Sequence, residues 1–164
     1  MSTEGSAGHR TGGRRRRDPQ RVGRRAGPVA ASAPAVTPLC FGRFPCSAEG
    51  ARRARRLVID FAKSRLFGED LVSFELAAGE AVANCVEHGG GPTLTVKCWV
   101  EDGRLFAEIR HRGEGFEPPE RVEAPPRGAP RGYGLFIMHE VLDGVEFLEG
   151  GTGLRLIKQL PDPA

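Results

Sequence analysis

The chain has 164 residues and a formal net charge of +3, room for one domain with its own core. Residues 1–30 carry eight arginines against Glu4 and Asp18, a net +6, so the remainder is mildly acidic at −3. No apolar run approaches the roughly 20 residues that span a bilayer, and Pro28, Pro34 and Pro38 break up the stretch after the arginines, leaving no apolar centre for an export signal.

Residues 1–38 are mostly Gly, Arg, Ala, Ser and Pro. They hold too little large apolar surface to offset the entropy of ordering and are expected to form a disordered arm ahead of a domain over 39–162. The run Arg14 to Arg17, with Arg21, Arg24 and Arg25, can attract nucleic acid by counterion release, but no aromatic residue is interleaved for stacking. Nucleic acid is therefore expected, if at all, only through the arm. Cys40, Cys46, Cys85 and Cys98 contain no CxxC pair, which is not structural-zinc spacing and reads as reduced thiols in a cytoplasmic protein.

After an extended piece from Leu39 to Pro45, Ser47 is placed as an N-cap with Glu49 in the first turn. Ala51, Ala54, Leu57, Val58, Phe61 and Ala62 then recur at helical spacing, predicting a helix to about Leu66. A second helix is predicted from about Asp70 to Glu87, with Leu71, Phe74, Ala78, Ala81, Val82 and Cys85 as one apolar stripe, stopped by Gly89 to Pro92. Beyond Pro92 the period becomes two. Leu94, Val96, Cys98 and Val100 share one face and Thr93, Thr95, Lys97 and Trp99 the other.

Asp102-Gly103 predicts a hairpin turn, and Leu105, Ala107, Ile109 and His111 share a face of the return strand. The Gly-, Pro- and charge-rich stretch from Gly113 to Arg131 is expected to be a loop. A short helix with Leu135, Met138 and Val141 or Leu142 facing inward follows, then a hairpin of Val145 to Phe147 and Leu154 to Leu160 turning at Gly150-Gly151. This order predicts an α/β class fold, a two-layer sandwich with a mixed, mainly antiparallel sheet and helices on one face.

Four groups of residues point to chemistry. Glu80, Asn84 and His88 are four residues apart on the second helix and occupy one edge beside its apolar stripe. A carboxylate able to take a proton stands one turn from a carboxamide able to offer oxygen to Mg²⁺. Gly113 and Gly115, in Gly113-Glu114-Gly115-Phe116, follow a strand where the backbone can approach a ligand closely. Arg131-Gly132-Tyr133-Gly134-Leu135 opens a helix whose free N–H groups suit phosphate. Thr152, in Gly151-Thr152-Gly153-Leu154, shares strand parity with Leu154 and Leu156, so its hydroxyl is expected to face the same cavity.

The order of these four motifs resembles the N, G1, G2 and G3 boxes of the GHKL (histidine-kinase-like) ATPase family. The phrases GEAVANCVEHG, RGYGLFIMHEVLDGVEF and GTGLRLIKQL are similar to its anti-sigma-factor serine-kinase branch, of the type abundant in actinobacteria. The resemblance covers about Leu39 to Leu160 and implies a Bergerat-type α/β sandwich binding ATP and Mg. It implies Glu80 as the catalytic base for a serine on an anti-anti-sigma (STAS-type) partner, Asn84 as the Mg²⁺ ligand, and Gly132 and Gly134 as phosphate contacts. It further implies a sigma factor as second partner, and dimerisation, which is common in that family, makes a homodimer an expectation. One position departs from the pattern: His111 stands where the family has the Asp that accepts from the adenine amino group. Loss of that charge-assisted bond is worth on the order of 1.5–3 kcal/mol, so a non-catalytic module with weakened or lost ATP binding is the alternative expectation.

Overall fold

The computed structural model describes Arg24–Arg25 and residues 40–161, apart from Phe116, Pro130 and Arg131. Its elements in chain order are β1 (Arg24–Arg25), β2 (Cys40–Pro45), α1 (Ala48–Lys63), α2 (Gly68–His88), β3 (Thr93–Glu101), β4 (Arg104–His111), β5 (Arg121–Val122), α3 (Tyr133–Val141), β6 (Gly144–Phe147) and β7 (Gly153–Gln159). A short 3-10 turn, Glu149–Gly151, precedes β7.

Local chemistry explains the boundaries. The Ser47 hydroxyl accepts from the Gly50 amide at 3.1 Å and caps α1. Glu69 and Asp70 lie in the first turn of α2, where negative charge suits the helix dipole. Asp102 and Gly103 both have positive φ, as the tight turn between β3 and β4 requires.

Five strands form one antiparallel sheet in the order β2-β3-β4-β7-β6. Its register stacks apolar residues in rows: Val96 opposes Ile109, which opposes Leu154, which opposes Phe147. The next row runs through Cys98, Ala107, Leu156 and Val145. These side chains are buried against Ala54, Val58, Phe74, Ala78, Ala81 and Cys85 of the helices. The helices cover one sheet face, so the fold is the two-layer α/β sandwich expected from the pattern.

The opposite face carries a feature that periodicity alone did not suggest. Trp99, placed on the polar side of its strand, is only 5% exposed. It stacks on its cross-strand partner Phe106 with ring centroids 5.1 Å apart. Beside them the Arg155 guanidinium bridges Glu146 at 2.8 Å and the buried Glu108 at 3.2 Å. Arg110 reaches the other Glu108 oxygen at 3.4 Å.

Two further differences concern the segments expected to lack structure. Arg24–Arg25, within the predicted arm, pairs antiparallel with Arg121–Val122, within the predicted loop, and Val122 is buried. A short β ladder therefore joins the two segments, because main-chain pairing needs no large apolar side chains. The rest of the arm expectation lies outside the described residues. Among the described residues no helix is long and apolar enough to cross a membrane. All four cysteines are unbridged, and Cys85 and Cys98 are buried.

Candidate functional site

Helix α2 supplies the polar edge. Its apolar stripe is held against the sheet by Phe74, Ala78, Ala81 and Cys85, so Glu80 and Asn84 fall at the boundary and are half-buried. Beneath them the Cys85 thiol donates to the Ile109 carbonyl at 3.5 Å, and burial pushes its pKa up to about 12. That side of the helix therefore stays neutral. His88 continues the same edge two turns beyond Glu80 but is exposed, with Nε2 3.9 Å from the Glu87 carboxylate.

Helix α3 supplies the second wall. It starts after Gly132, whose φ of 100° is a left-handed conformation that glycine adopts without steric cost. Among the described residues no side chain caps its first turn, and its first turn holds no acidic residue. Its leading N–H groups and positive dipole end are the parts of a phosphate site. The Tyr133 hydroxyl donates to the Pro126 carbonyl at 3.1 Å, tying the preceding loop to this helix start.

The two walls meet at Gly134. A Cβ built there would lie 2.6 Å from Glu80 Oε2 and 3.7 Å from Glu80 Cβ. Glu80 and Gly134 are thus brought together: the carboxylate lies against the first turn of α3, in which Leu135 packs against the core. Asn84, one turn along, offers the carboxamide oxygen that a hard cation takes. Among the described residues no cluster of three His, Cys, Asp or Glu side chains is arranged to hold a metal by itself. A Mg²⁺ here would take its remaining ligands from phosphates and water, as that ion usually does.

His111 has a different role from the one its position suggests. It is 2% exposed. Its Nδ1 accepts from the Gly113 amide at 3.1 Å, which leaves Nε2 as the protonated nitrogen donating to the Gly151 carbonyl at 3.1 Å. Both ring nitrogens are committed to backbone, so the side chain offers no acceptor to a ligand amino group. It clips the end of β4 to the turn before β7.

The glycines around this clip are needed for contact with other main chain. A Cβ on Gly113 would overlap the Gly89 carbonyl oxygen, one on Gly115 the Gly150 carbonyl oxygen, and one on Gly91 the Arg112 carbonyl. Gly89 itself would meet the His111 ring at 2.6 Å. Gly89 and Gly91 were legible only as a helix stop; the three-glycine run was the available signal, and its packing role needed the fold.

Thr152 is a correction. Its hydroxyl donates to the Glu149 carbonyl at 2.9 Å and accepts from the Arg110 guanidinium at 3.4 Å, so it serves the 3-10 turn and is not turned toward Glu80 and the start of α3. The parity argument failed because β7 begins only at Gly153, after positive-φ residues Gly150 and Gly151 have redirected the chain. Arg131, the first residue of the motif that opens α3, lies outside the described residues.

No curated protein matches the chain. The model of the histidine kinase-like ATPase domain matches residues 44–158, from Phe44 in β2 to Lys158 in β7. That span includes both walls of the site and the glycine-backed clip, and the chain belongs to the histidine kinase-like ATPase domain family.

Proposed function

We propose that the chain binds Mg·ATP between α2 and the start of α3 and transfers the terminal phosphoryl group to a serine of a small STAS-type partner, an anti-anti-sigma factor. In this reading it also holds a sigma factor inactive. The observation that carries the proposal is the meeting of Glu80 Oε2 with the first turn of α3 at Gly134.

The phosphate end of the site fits. The α3 amides would receive phosphate oxygens, the missing side chain of Gly134 leaves room for the Glu80 carboxylate under that turn, and Asn84 would hold the metal. Bound magnesium supplies charge neutralisation of the phosphates. Glu80 would orient the serine hydroxyl and accept its proton as the serine oxygen bonds to phosphorus and ADP leaves. Catalysis of this kind is mostly positioning.

The second reading, a non-catalytic interaction module of the same fold, is favoured by His111. The adenine amino group would find no free acceptor on that side chain. Titration with a fluorescent ATP analogue separates the two: micromolar binding supports the kinase, and absence of binding in the wild type supports the module. Replacing Glu80→Ala is expected to abolish phosphotransfer while leaving partner capture nearly intact. An unchanged rate removes Glu80 from the mechanism.

A further inference from the structure

On the edge of the sheet away from α3, Cys40 opens β2 and is paired in register with Cys98 of β3. Residues directly opposed on antiparallel strands have Cα atoms about 4.5 or 5.5 Å apart, and both spacings lie inside the range that a disulfide spans. Directly opposed residues carry their side chains on the same sheet face, so the register sets the two thiols side by side. Cys98 is fully buried and Cys40 half-buried, so Cys40 is the more accessible residue of the pair.

A cation completes the arrangement. Arg65, just past α1, lies close enough to favour the thiolate of both residues. Its guanidinium is fixed by a 2.6 Å bond to the Phe61 carbonyl and sits 3.7 Å over the Phe61 ring. Burial raises both thiols above the usual range, so the pair is slow to react unless an oxidant reaches Cys40 directly.

We infer that Cys40 and Cys98 are a thiol pair that closes reversibly to a cross-strand disulfide, a modification site separate from Glu80 and the start of α3. The co-reactant is a low-molecular-weight disulfide. The Cys40 thiolate attacks one of its sulfurs, forming a mixed disulfide and expelling a small thiolate. The Cys98 thiolate then attacks the Cys40 sulfur, expelling the second small thiolate. The two thiol protons end on the two released thiols, and the protein loses two electrons to the reagent. The product staples the edge strand β2, where the N-terminal segment joins the domain, to the interior strand β3. It also closes a long loop containing α1 and α2.

The test uses the full chain and glutathione disulfide at mildly alkaline pH, followed by peptide mapping without reduction. The expected product is a Cys40–Cys98 linked pair, with Cys46 and Cys85 unlinked and a melting temperature raised by roughly 10 °C, all reversed by dithiothreitol. Cys98→Ser is expected to stop at a mixed disulfide on Cys40. Overturning results are a wild-type mixed disulfide that persists on Cys40, a Cys40 bridge between two molecules, a bridge involving Cys46, or no reaction at Cys40. Mapping of the wild type decides the matter even if the serine variant does not fold.

Discussion

Gly134 and Glu80 exclude a side chain between them: Glu80 Oε2 occupies the point 2.6 Å from where a Gly134 Cβ would stand. The first turn of α3 therefore needs glycine for the space above the carboxylate, and helix geometry alone would accept alanine there.

Gly134→Ala separates stability from function. Alanine in a helix is favoured over glycine by roughly 0.5–1 kcal/mol, so the variant is expected to unfold at an equal or higher urea concentration. The displaced Glu80 carboxylate is expected to lower phosphotransfer by roughly tenfold or more, about 1.4 kcal/mol of transition-state stabilisation. Urea unfolding and a single-turnover assay on the same preparation check both halves. Loss of stability in parallel with activity would make Gly134 a packing residue only.

His111→Ala and His111→Asp have different expected outcomes. Alanine leaves the Gly113 amide and Gly151 carbonyl without the ring that joins them, at a cost of roughly 2–3 kcal/mol in unfolding free energy. Aspartate keeps an acceptor for Gly113 but buries a charge and drops the bond to Gly151. It is expected to destabilise the free protein by a similar amount and to tighten ATP binding roughly ten- to a hundredfold, since a charge-assisted acceptor is worth on the order of 1.5–3 kcal/mol. Denaturation with and without Mg·ATP reads both effects, and unchanged affinity would take position 111 out of nucleotide recognition.

Arg155 holds the open face of the sheet. Glu108 is 4% exposed, and Arg155→Ala leaves it, among the described residues, with the partly exposed Arg110 as its one ion-pair partner. Breaking a buried pair by removing one member typically costs about 3–5 kcal/mol. Adding Glu108→Leu to Arg155→Ala is expected to recover most of that loss, because the uncompensated carboxylate is gone. A double-mutant cycle by urea unfolding measures the coupling.

Lys158 ties β7 to α2 through Asp70 at 2.8 Å, with Asp143 at 3.7 Å. Burial opposes its charge, but the bonds and charges of Asp70 and Asp143 outweigh that and hold its pKa above the ordinary lysine value. A group raised on folding contributes stability that is fully present below the unfolded pKa, about 10.4, and is lost as pH rises through the folded value. Asp70 is half exposed, so the pair is worth only about 1 kcal/mol. Lys158→Met is expected to flatten the alkaline fall of the urea midpoint, and an identical fall in both proteins would assign it to other groups.

Much of the fold could be read along the chain because each signal was local. Ser47 capped its helix, the Leu94-Val96-Cys98 alternation became an inward strand face, and Asp102-Gly103 made the turn, since caps, periods and turns depend on residues a few positions apart. Glu80 and Asn84 could be put on one helical edge for the same reason.

What tertiary structure decided was which distant segments touch. Strand order, with β7 between β4 and β6, depends on pairing energies that no local pattern contains. His111 read as a ligand residue until Gly113 and Gly151 were found on its two nitrogens, and Thr152 read as inward-facing until the turn before it broke the parity. The amino-acid order determined which side chains share a helix or strand face, because backbone geometry repeats over short distances. Only folding determined their partners, because a hydrogen bond's other half lies tens of residues away in the chain.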